Sequence, residues 1–257
     1  MSDTLTVGSV TMNGTTMFVL DCNDDDAPEP DYEAISVPGR SGDLHIWNER
    51  WKNKMITYRC VCTANARTAV PAFLTQLLAQ YGYRRITDTL HTDYYKMGEY
   101  VGATNPVYSD GGQVARFDLT FDCKPQKWLI SGETEITITS STAITNPTPF
   151  PAYPLLKLNG RGAVTLNHVN SSPAVSYTIK SIRAVYSGAT FSFDCDLMDG
   201  WPTAYPTIND NGYITLTGTS GRACLQGNGN TQISFSTADV TSPVMTKVIV
   251  TPRWYKL

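Results

Sequence analysis

The sequence predicts a mainly β protein built from two β-sandwich-like domains, the first of which also carries one α-helix and a long β-hairpin. Short stretches of alternating apolar and polar residues recur between turns rich in Gly, Asn and Pro along most of the 257 residues. Only one segment has the apolar periodicity of an amphipathic helix. The composition changes over residues 131–152, where Thr, Ser and Pro dominate, and this change separates two domains.

Residues 1–130 are predicted to form a β domain in which a helix covers a sheet. Alternation over residues 55–63 and 114–123 indicates two strands that each have one buried side. The helix is predicted over about residues 70–81, with Pro71 in its first turn and Gly82 as its stop. Its apolar positions are Phe73, Leu74, Leu77, Leu78 and Tyr81.

A tight turn near residue 40 organises the first domain. Proline fixes one φ angle there, and two glycines can take the positive φ that other residues avoid. We expect this turn to be structural, and we assign it to Pro38, Gly39, Arg40, Gly42 and Asp43. The aromatic segment after it, residues 45–51, is predicted to form the tip of the long hairpin.

The rest of the chain is predicted to be a linker followed by a second β domain. Residues 131–152 are assigned to the linker because their prolines oppose regular structure. From residue 153 to 257, strand signals recur at short intervals between turns such as Asn159-Gly160, a pattern typical of an antiparallel sandwich.

Composition excludes several classes of function. The formal net charge is -3 without a basic block, so the electrostatic signature of a nucleic-acid-binding protein is missing. No apolar run is long enough for a transmembrane helix, so membrane insertion is not expected. The first residues lack the basic and apolar regions of a signal peptide, and synthesis in a reducing cytoplasm is therefore expected.

No catalytic, cofactor or metal site is predicted. The three histidines lie in different segments, and the six cysteines contain no C-x-x-C pair, so they are interpreted as small buried apolar residues. Asp194 and Asp196, predicted to share one solvated strand face, are the only carboxylate pair that warrants comparison with a glycosidase. Candidate sugar contacts are Trp201, Tyr205 and Tyr213, which cluster near two prolines.

Three motifs in order give the chain a resemblance to a known family. The first is the V-P-G-R-x-G-D-L turn beginning at Val37. The second is F-x-C-x-P-x-x-W over Phe121–Trp128, and the third is the closing segment Pro252–Leu257. Together with the strand–helix–strand order between them, they resemble the distal tail proteins of long-tailed, non-contractile bacteriophages.

This resemblance implies a structural hub at the tip of a phage tail, without enzymatic activity. It implies a homo-hexameric ring formed by the first domain, and a galectin-like second domain that faces outward. The partners implied are the tail tube protein, a tail-associated lysin or spike protein, and receptor-binding proteins, all within the virion. The alternative is a small module that binds or hydrolyses cell-wall carbohydrate.

Overall fold

The computed structural model describes residues 3–181, 190–203, 214–219, 221–237 and 244–257. The mainly β fold with one α-helix in the described residues confirms the predicted class. The chain divides into two compact units, residues 1–127 with Leu257 and residues 128–256.

The first unit contains ten strands and one helix. The strands are β1 (Leu5–Val7), β2 (Val10–Thr11), β3 (Met17–Cys22), β4 (Pro30–Ile35), β5 (Leu44–Trp51), β6 (Lys54–Cys62), β7 (Arg84–Asp88), β8 (Tyr94–Tyr100), β9 (Val107–Ser109) and β10 (Val114–Leu129). Helix α1 spans Ala66–Leu78. The main sheet has the order β2-β1-β7-β8-β10-β6-β3, with β9 paired to β10.

The core of the first unit lies on one face of this sheet. Strands β6 and β10 pair antiparallel from Ala115 opposite Cys62 to Cys123 opposite Lys54. Alternate residues of β10 point inward, as the sequence pattern predicts, and Phe117, Leu119 and Phe121 are buried. This inward row and the buried residues of the helix belong to the same apolar core.

The helix begins and ends earlier than predicted. Its buried residues are Ala66, Val70, Phe73 and Leu77, a stripe that packs on the sheet. Leu78 and Tyr81, assigned to the apolar face, are exposed instead. Pro71 lies inside the helix rather than in its first turn. The proline suggested a start that was too late because the preceding Ala and Val residues already supply the buried face.

The hairpin exists, but its tip is elsewhere. Residues 45–51, predicted as the tip, belong to β5, which pairs with β4 in a two-stranded ribbon. The connection between the two strands is residues 36–43, which contain the predicted turn. The aromatic residues of segment 45–51 favour a strand rather than a turn, because large rings fit a pleated surface.

The second unit holds the remaining strands. They are β11 (Ile136–Ile138), β12 (Thr142–Thr145), β13 (Leu155–Leu158), β14 (Gly162–His168), β15 (Ser176–Ser181), β16 (Phe191–Asp194), β17 (Asp199–Pro202), β18 (Ile214–Gly218), β19 (Asn230–Ser236), β20 (Val248–Thr251) and β21 (Tyr255–Lys256). Ten of them form two five-stranded sheets, β11-β20-β13-β16-β17 and β12-β19-β14-β15-β18.

The two five-stranded sheets share one apolar core and form the predicted antiparallel sandwich. Leu156 and Val250 enter this core from the first sheet, and Leu166 and Ile233 enter it from the second. All the strand pairs in both sheets are antiparallel. Inward and outward residues alternate along the strands, as in other sandwiches.

Residues 131–152 are not a linker. Within them, β11 pairs with β20 and β12 pairs with β19, so each adds an edge strand to a different sheet. Ile138 and Ile144 are buried in the core. The proline-rich part is also packed, and Asn146 Nδ2 donates to the carbonyl of Phe150 at 2.8 Å. Threonine is β-branched and favours strands, so a Thr-rich composition does not indicate a linker here.

Candidate assembly surface

The most unusual surface of the first unit is the ribbon, defined here as residues 30–51: strand β4, the tip at residues 36–43, and strand β5. In the part of the chain that the structure describes, β4 and β5 pair only with each other. Their register runs from Ile35 opposite Leu44 to Pro30 opposite Trp51. A two-stranded hairpin with no further layer is marginally stable in water, so the ribbon depends on what holds its base and covers its faces.

Apolar side chains line both faces of the ribbon. Residues directly opposite each other in an antiparallel pair lie on the same face. The register therefore places Ile35, Leu44 and Ile46 on one face, and Tyr32 and Trp47 on the other. These five side chains are 37–46% exposed. Exposed apolar side chains grouped on a face in this way are typical of a site that a partner covers.

The tip contains the turn that the sequence singles out. Gly39 and Gly42 have φ angles of 80° and 84°, in the left-handed region that favours glycine. Arg40 donates its backbone N–H to the carbonyl of Val37 at 3.1 Å. Pro38, Arg40 and Asp43 are exposed, and their placement fits a structural turn that projects into solvent.

Polar contacts join the two legs of the ribbon, strands β4 and β5, at its base. Arg50 Nε lies 2.5 Å from Asp31 Oδ2, and this hydrogen bond lowers the pKa of the Asp31 carboxyl. The backbone N–H of Lys52 donates to the carbonyl of Glu29 at 2.8 Å. Glu49 has a φ angle of 55°, beside the position where the register shifts, so a bulge twists the strand at this point.

A buried ion cluster lies where the ribbon leaves the sheet. It consists of Asp24, Asp88 and Lys96, whose side chains are at most 1% exposed. Lys96 Nζ lies 2.7 Å from Asp24 Oδ2 and 3.1 Å from Asp88 Oδ2. Asp24 belongs to the segment between β3 and β4, whereas Asp88 and Lys96 belong to β7 and β8. The cluster therefore ties the segment that leads into the ribbon to the sheet.

Neighbouring side chains complete the hydrogen bonding of the ion cluster. The Tyr94 hydroxyl donates to Asp24, and the Tyr58 hydroxyl donates to Asp88, both at 2.7 Å. The His91 ring Nδ1 lies 2.9 Å from Asp88 Oδ1. Buried charges persist in proteins only when they are paired and hydrogen-bonded in this way.

Two further lysines bind the backbone of Asp24. Lys54, the first residue of β6, donates to the Asp24 carbonyl at 2.7 Å, and Lys127 donates to the same carbonyl at 2.7 Å. Lys54 also donates to the carbonyl of Asp26. Because Lys54 follows β5 almost directly, both legs of the ribbon meet at Asp24.

The cluster also perturbs the acidity of its members. Burial by itself would raise the pKa of Asp24, but Lys96, Tyr94 and Lys127 outweigh it and lower the pKa to about 2. Burial would lower the pKa of Lys96, but Asp88 and Asp24 raise it above its ordinary value. Burial and the adjacent carboxylates raise the pKa of Tyr58 and of Tyr94. Asp24 is thus ionised at neutral pH, Lys96 is protonated, and both hydroxyls are donors.

Sequence reasoning missed this cluster. Asp24 looks like part of a solvated acidic loop, and its neighbours Asp25 and Asp26 are indeed exposed. One signal was present on β8, where Tyr94, Lys96 and Gly98 occupy alternate positions that all point inward. A lysine at an inward strand position requires a carboxylate partner, but the sequence does not say which one.

Of the three predicted sugar contacts, only Trp201 lies within the described residues. Trp201 lies on β17, the edge strand of its sheet, and is half-buried. Tyr205 and Tyr213 lie outside the described residues.

The carboxylate pair Asp194 and Asp196 does not share a solvated strand face, contrary to the prediction. Strand β16 ends at Asp194, which is buried, while Asp196 lies in the turn that follows. Asp194 binds Arg253 at 2.8 Å, and Asp196 binds Arg222 at 2.6 Å. Each carboxylate thus has its own arginine, which fits a structural role.

The remaining chemistry-bearing residues have structural surroundings. All six cysteines are free thiols and five are buried; burial raises the pKa of Cys123 to about 12, which disfavours a reactive thiolate. Among the described residues, no group of three or more His, Cys, Asp and Glu side chains could hold a metal ion. Nor is any helix described here long and apolar enough to cross a membrane.

Comparison with known proteins gives a match in structure and none in sequence. No protein-family model matches the chain, and no curated protein matches its sequence. The crystal structure of the SPP1 Dit protein (gp 19.1), described as a paradigm of the hub adsorption apparatus in phages that infect Gram-positive bacteria, matches with a TM-score of 0.65 and 10% identity. This match covers 97% of the present chain and 98% of the SPP1 protein.

A second structural match is a chain of the phage P2 baseplate in its activated conformation with Ca. It has a TM-score of 0.43 and 7% identity, and covers 93% of this chain and 99% of that one. The near-complete coverage of the SPP1 protein confirms the fold expected from the resemblance to distal tail proteins.

Proposed function

We propose that this chain is the structural hub of a bacteriophage tail tip. In this role it forms a homo-hexameric ring that joins the tail tube to a tail-associated lysin or spike protein and to receptor-binding proteins. It is made in the cytoplasm of the host bacterium, acts in the virion, and catalyses no reaction. The fold shared with the SPP1 hub protein supports the assignment, and the exposed ribbon is the observation that carries it.

The ribbon suits self-assembly because it has no covering layer of its own. Its apolar side chains remain exposed on both faces, and grouped exposed apolar residues often mark surfaces that a partner covers. Covering even a few of them in an interface contributes favourably, at about 25 cal/mol per Å² of apolar area. An isolated ribbon also gains stability from any added layer.

A second copy of the same chain is the partner we assign to the ribbon. The sheet of the first unit ends at β3, whose outer side pairs within the described residues only through an isolated bridge between Val19 and Asp3, and Leu20 on this strand is 52% exposed. A ribbon from one copy that meets such a different surface on the next copy makes a heterologous contact. Repetition of a heterologous contact with a closing rotation produces a ring.

Solution mass and electron microscopy test the proposal. The wild-type protein, alone or mixed with the tail tube protein, is expected to form rings of six times the chain mass. Replacing Ile35, Leu44 and Ile46 together by Thr should abolish the rings while leaving the monomer folded, because Thr keeps the strand preference but removes apolar area. Val107→Thr, at an exposed apolar position outside the ribbon, is the matched control and should assemble normally.

Two results would overturn the proposal. One is a protein that remains monomeric at every concentration and with the tail tube protein, and that antibodies fail to detect at the tail tip of phage particles. The other is hydrolysis of purified host cell wall by the wild-type protein, which would favour the alternative of a wall-degrading module. Loss of that hydrolysis in a stable Ser41→Ala variant would place the activity in the tip.

A further inference from the structure

An ion cluster is not the only arrangement that can stabilise this part of the sheet. Moving a lysine and two carboxylates from water into a protein interior costs several kcal/mol per charge, and well-packed apolar residues of similar volume are often equally stabilising. Asp24, Asp88 and Lys96 nevertheless have side chains that are at most 1% exposed in the interior of the first unit. We therefore expect a role that depends on the directions of the cluster's contacts rather than on the burial of its side chains.

The contacts of the cluster indicate that role, because they converge on Asp24, a single residue of the segment that connects β3 to β4. Four groups from the sheet bind Asp24: the Lys96 ammonium and the Tyr94 hydroxyl bind its carboxylate, and Lys54 and Lys127 bind its carbonyl, each at 2.7 Å. Immediately before it, the Asn23 side chain accepts the backbone N–H of Thr57 at 2.6 Å. The segment that enters the ribbon is thus held from several strands at once.

The returning leg of the ribbon is held at the same point. Strand β5 ends at Trp51, and three residues later Lys54 Nζ binds the carbonyls of Asp24 and Asp26. The backbone contact from Lys52 to Glu29 lies between this point and the strands of the ribbon, and the Arg50–Asp31 ion pair joins the two strands at their base. Charge-assisted hydrogen bonds have defined directions, unlike apolar contacts, so they can fix an angle as well as a position.

From this convergence we infer that the Asp24–Asp88–Lys96 cluster is the positioning device of the ribbon: it fixes both legs where they leave the sheet and sets the direction in which the ribbon meets its partner. This inference rests on the proposed function for the identity of that partner. The three residues are positioning residues, since their side chains are buried and act through the ribbon.

Lys96→Met tests the inference, because it removes the central ammonium while keeping an unbranched side chain. Hydrogen exchange of the monomer should become about tenfold or more faster in residues 23–29 and 52–54, and remain unchanged in the paired core of β6 and β10. Ring formation should fall by about tenfold or more at equal protein concentration. Lys157→Met is the control: it removes a lysine from a partly exposed ion pair with Glu135 in the second unit, and neither readout should change.

Tyr94→Phe provides a second, milder variant in case Lys96→Met fails to fold. It removes only one hydrogen bond to Asp24, and should give a smaller change of the same kind in both readouts. Unchanged exchange in residues 23–29 in a folded variant, or normal ring formation despite faster exchange, would overturn the inference. If the wild-type protein forms no ring, the proposed function fails, while the exchange measurement still decides whether the cluster holds the ribbon.

Discussion

At the scale of single residues, Asp24 shows how position decides the behaviour of a common side chain. It stands in a run of three aspartates, yet only this one is buried. Its carboxylate lies against Lys96 and Tyr94, while the carboxylates of Asp25 and Asp26 are exposed. The three side chains are chemically identical, and only the surroundings of Asp24 bring its carboxylate into contact with groups of the sheet.

The lowered pKa of Asp24 predicts a specific dependence of stability on pH. Since the pKa is about 2 in the folded protein and 3.8 ordinarily, the ionised carboxylate contributes about 2 kcal/mol that is fully present above pH 4. This contribution is lost as the pH falls toward 2. The difference in unfolding free energy between wild type and Asp24→Asn should therefore shrink by about 2 kcal/mol over that range.

Urea unfolding followed by tryptophan fluorescence between pH 6 and pH 2 measures this difference. Asp25→Asn is the matched control from the same loop, where an exposed carboxylate should give a difference close to zero throughout. A difference for Asp24→Asn that stays constant across the range would show that its ionisation is not linked to folding.

At the scale of elements, the ribbon and the helix are stabilised in opposite ways. The helix buries a stripe of Ala66, Val70, Phe73 and Leu77 in the core, so tertiary packing holds it. The ribbon buries almost nothing and depends on its turn, its bulge and the contacts at its base. Substitutions in the helix therefore change the stability of the whole unit, whereas substitutions in the ribbon act locally.

Valine at either tip glycine should disturb the ribbon alone. Gly39→Val or Gly42→Val places a β-branched side chain at positive φ, at a cost of about 1–2 kcal/mol. No atom lies within 4 Å of the added Cβ, so the cost is backbone strain and not a clash. Hydrogen exchange in β4 and β5 should increase while the melting temperature changes little. Ser41→Val is the control. If it increased hydrogen exchange in β4 and β5 equally, positive φ at the glycines would not be the explanation.

Replacing the proline inside the helix should stabilise the first unit. Pro71 has no N–H to donate to the carbonyl of Arg67, and it is exposed, so Pro71→Ala loses no buried contact. We expect a gain of about 1 kcal/mol, seen as a higher melting temperature. Ala72→Gly, at the next exposed position, should shift stability by a similar amount in the opposite direction. A lower melting temperature for Pro71→Ala would show that the proline is needed at that place.

At the scale of the whole molecule, the chain consists of two units with separate cores, and the second begins before the Thr-rich passage. Strands β11 and β12, formed from that passage, are edge strands of the two opposing sheets. They cover the core with Ile138 and Ile144. A boundary placed after residue 152 therefore cuts through a folded unit.

Fragments of the chain test where the second unit begins. Residues 128–257 should fold alone with a cooperative melting transition, because they contain both complete sheets. Residues 153–257 should be strongly destabilised or unfolded, because they lack one edge strand of each sheet and two buried isoleucines. Circular dichroism during heating distinguishes the two fragments. Equal stability would mean that residues 131–152 act as a linker after all.

Features that depend on local periodicity are predictable from the sequence. Alternation in residues 55–63 and 114–123 defines strands that the structure shows as the paired β6 and β10. One apolar stripe defines the helix on its sheet, and recurring short strands define the sandwich. Each of these signals lies within a few neighbouring residues, because a strand or helix face is set by the spacing of its own side chains.

Features that depend on residues far apart in the sequence become apparent only in the folded chain. Lys96 and Asp24 lie 72 positions apart, and no local pattern pairs them. Residues 131–152 look like a linker until β20 and β19 supply their pairing partners. Strand β5 carries large apolar residues such as Leu44, Ile46 and Trp47, yet the fold leaves them exposed in the ribbon. Burial is a property of the assembled chain, since it depends on what lies opposite a face and not on the face itself.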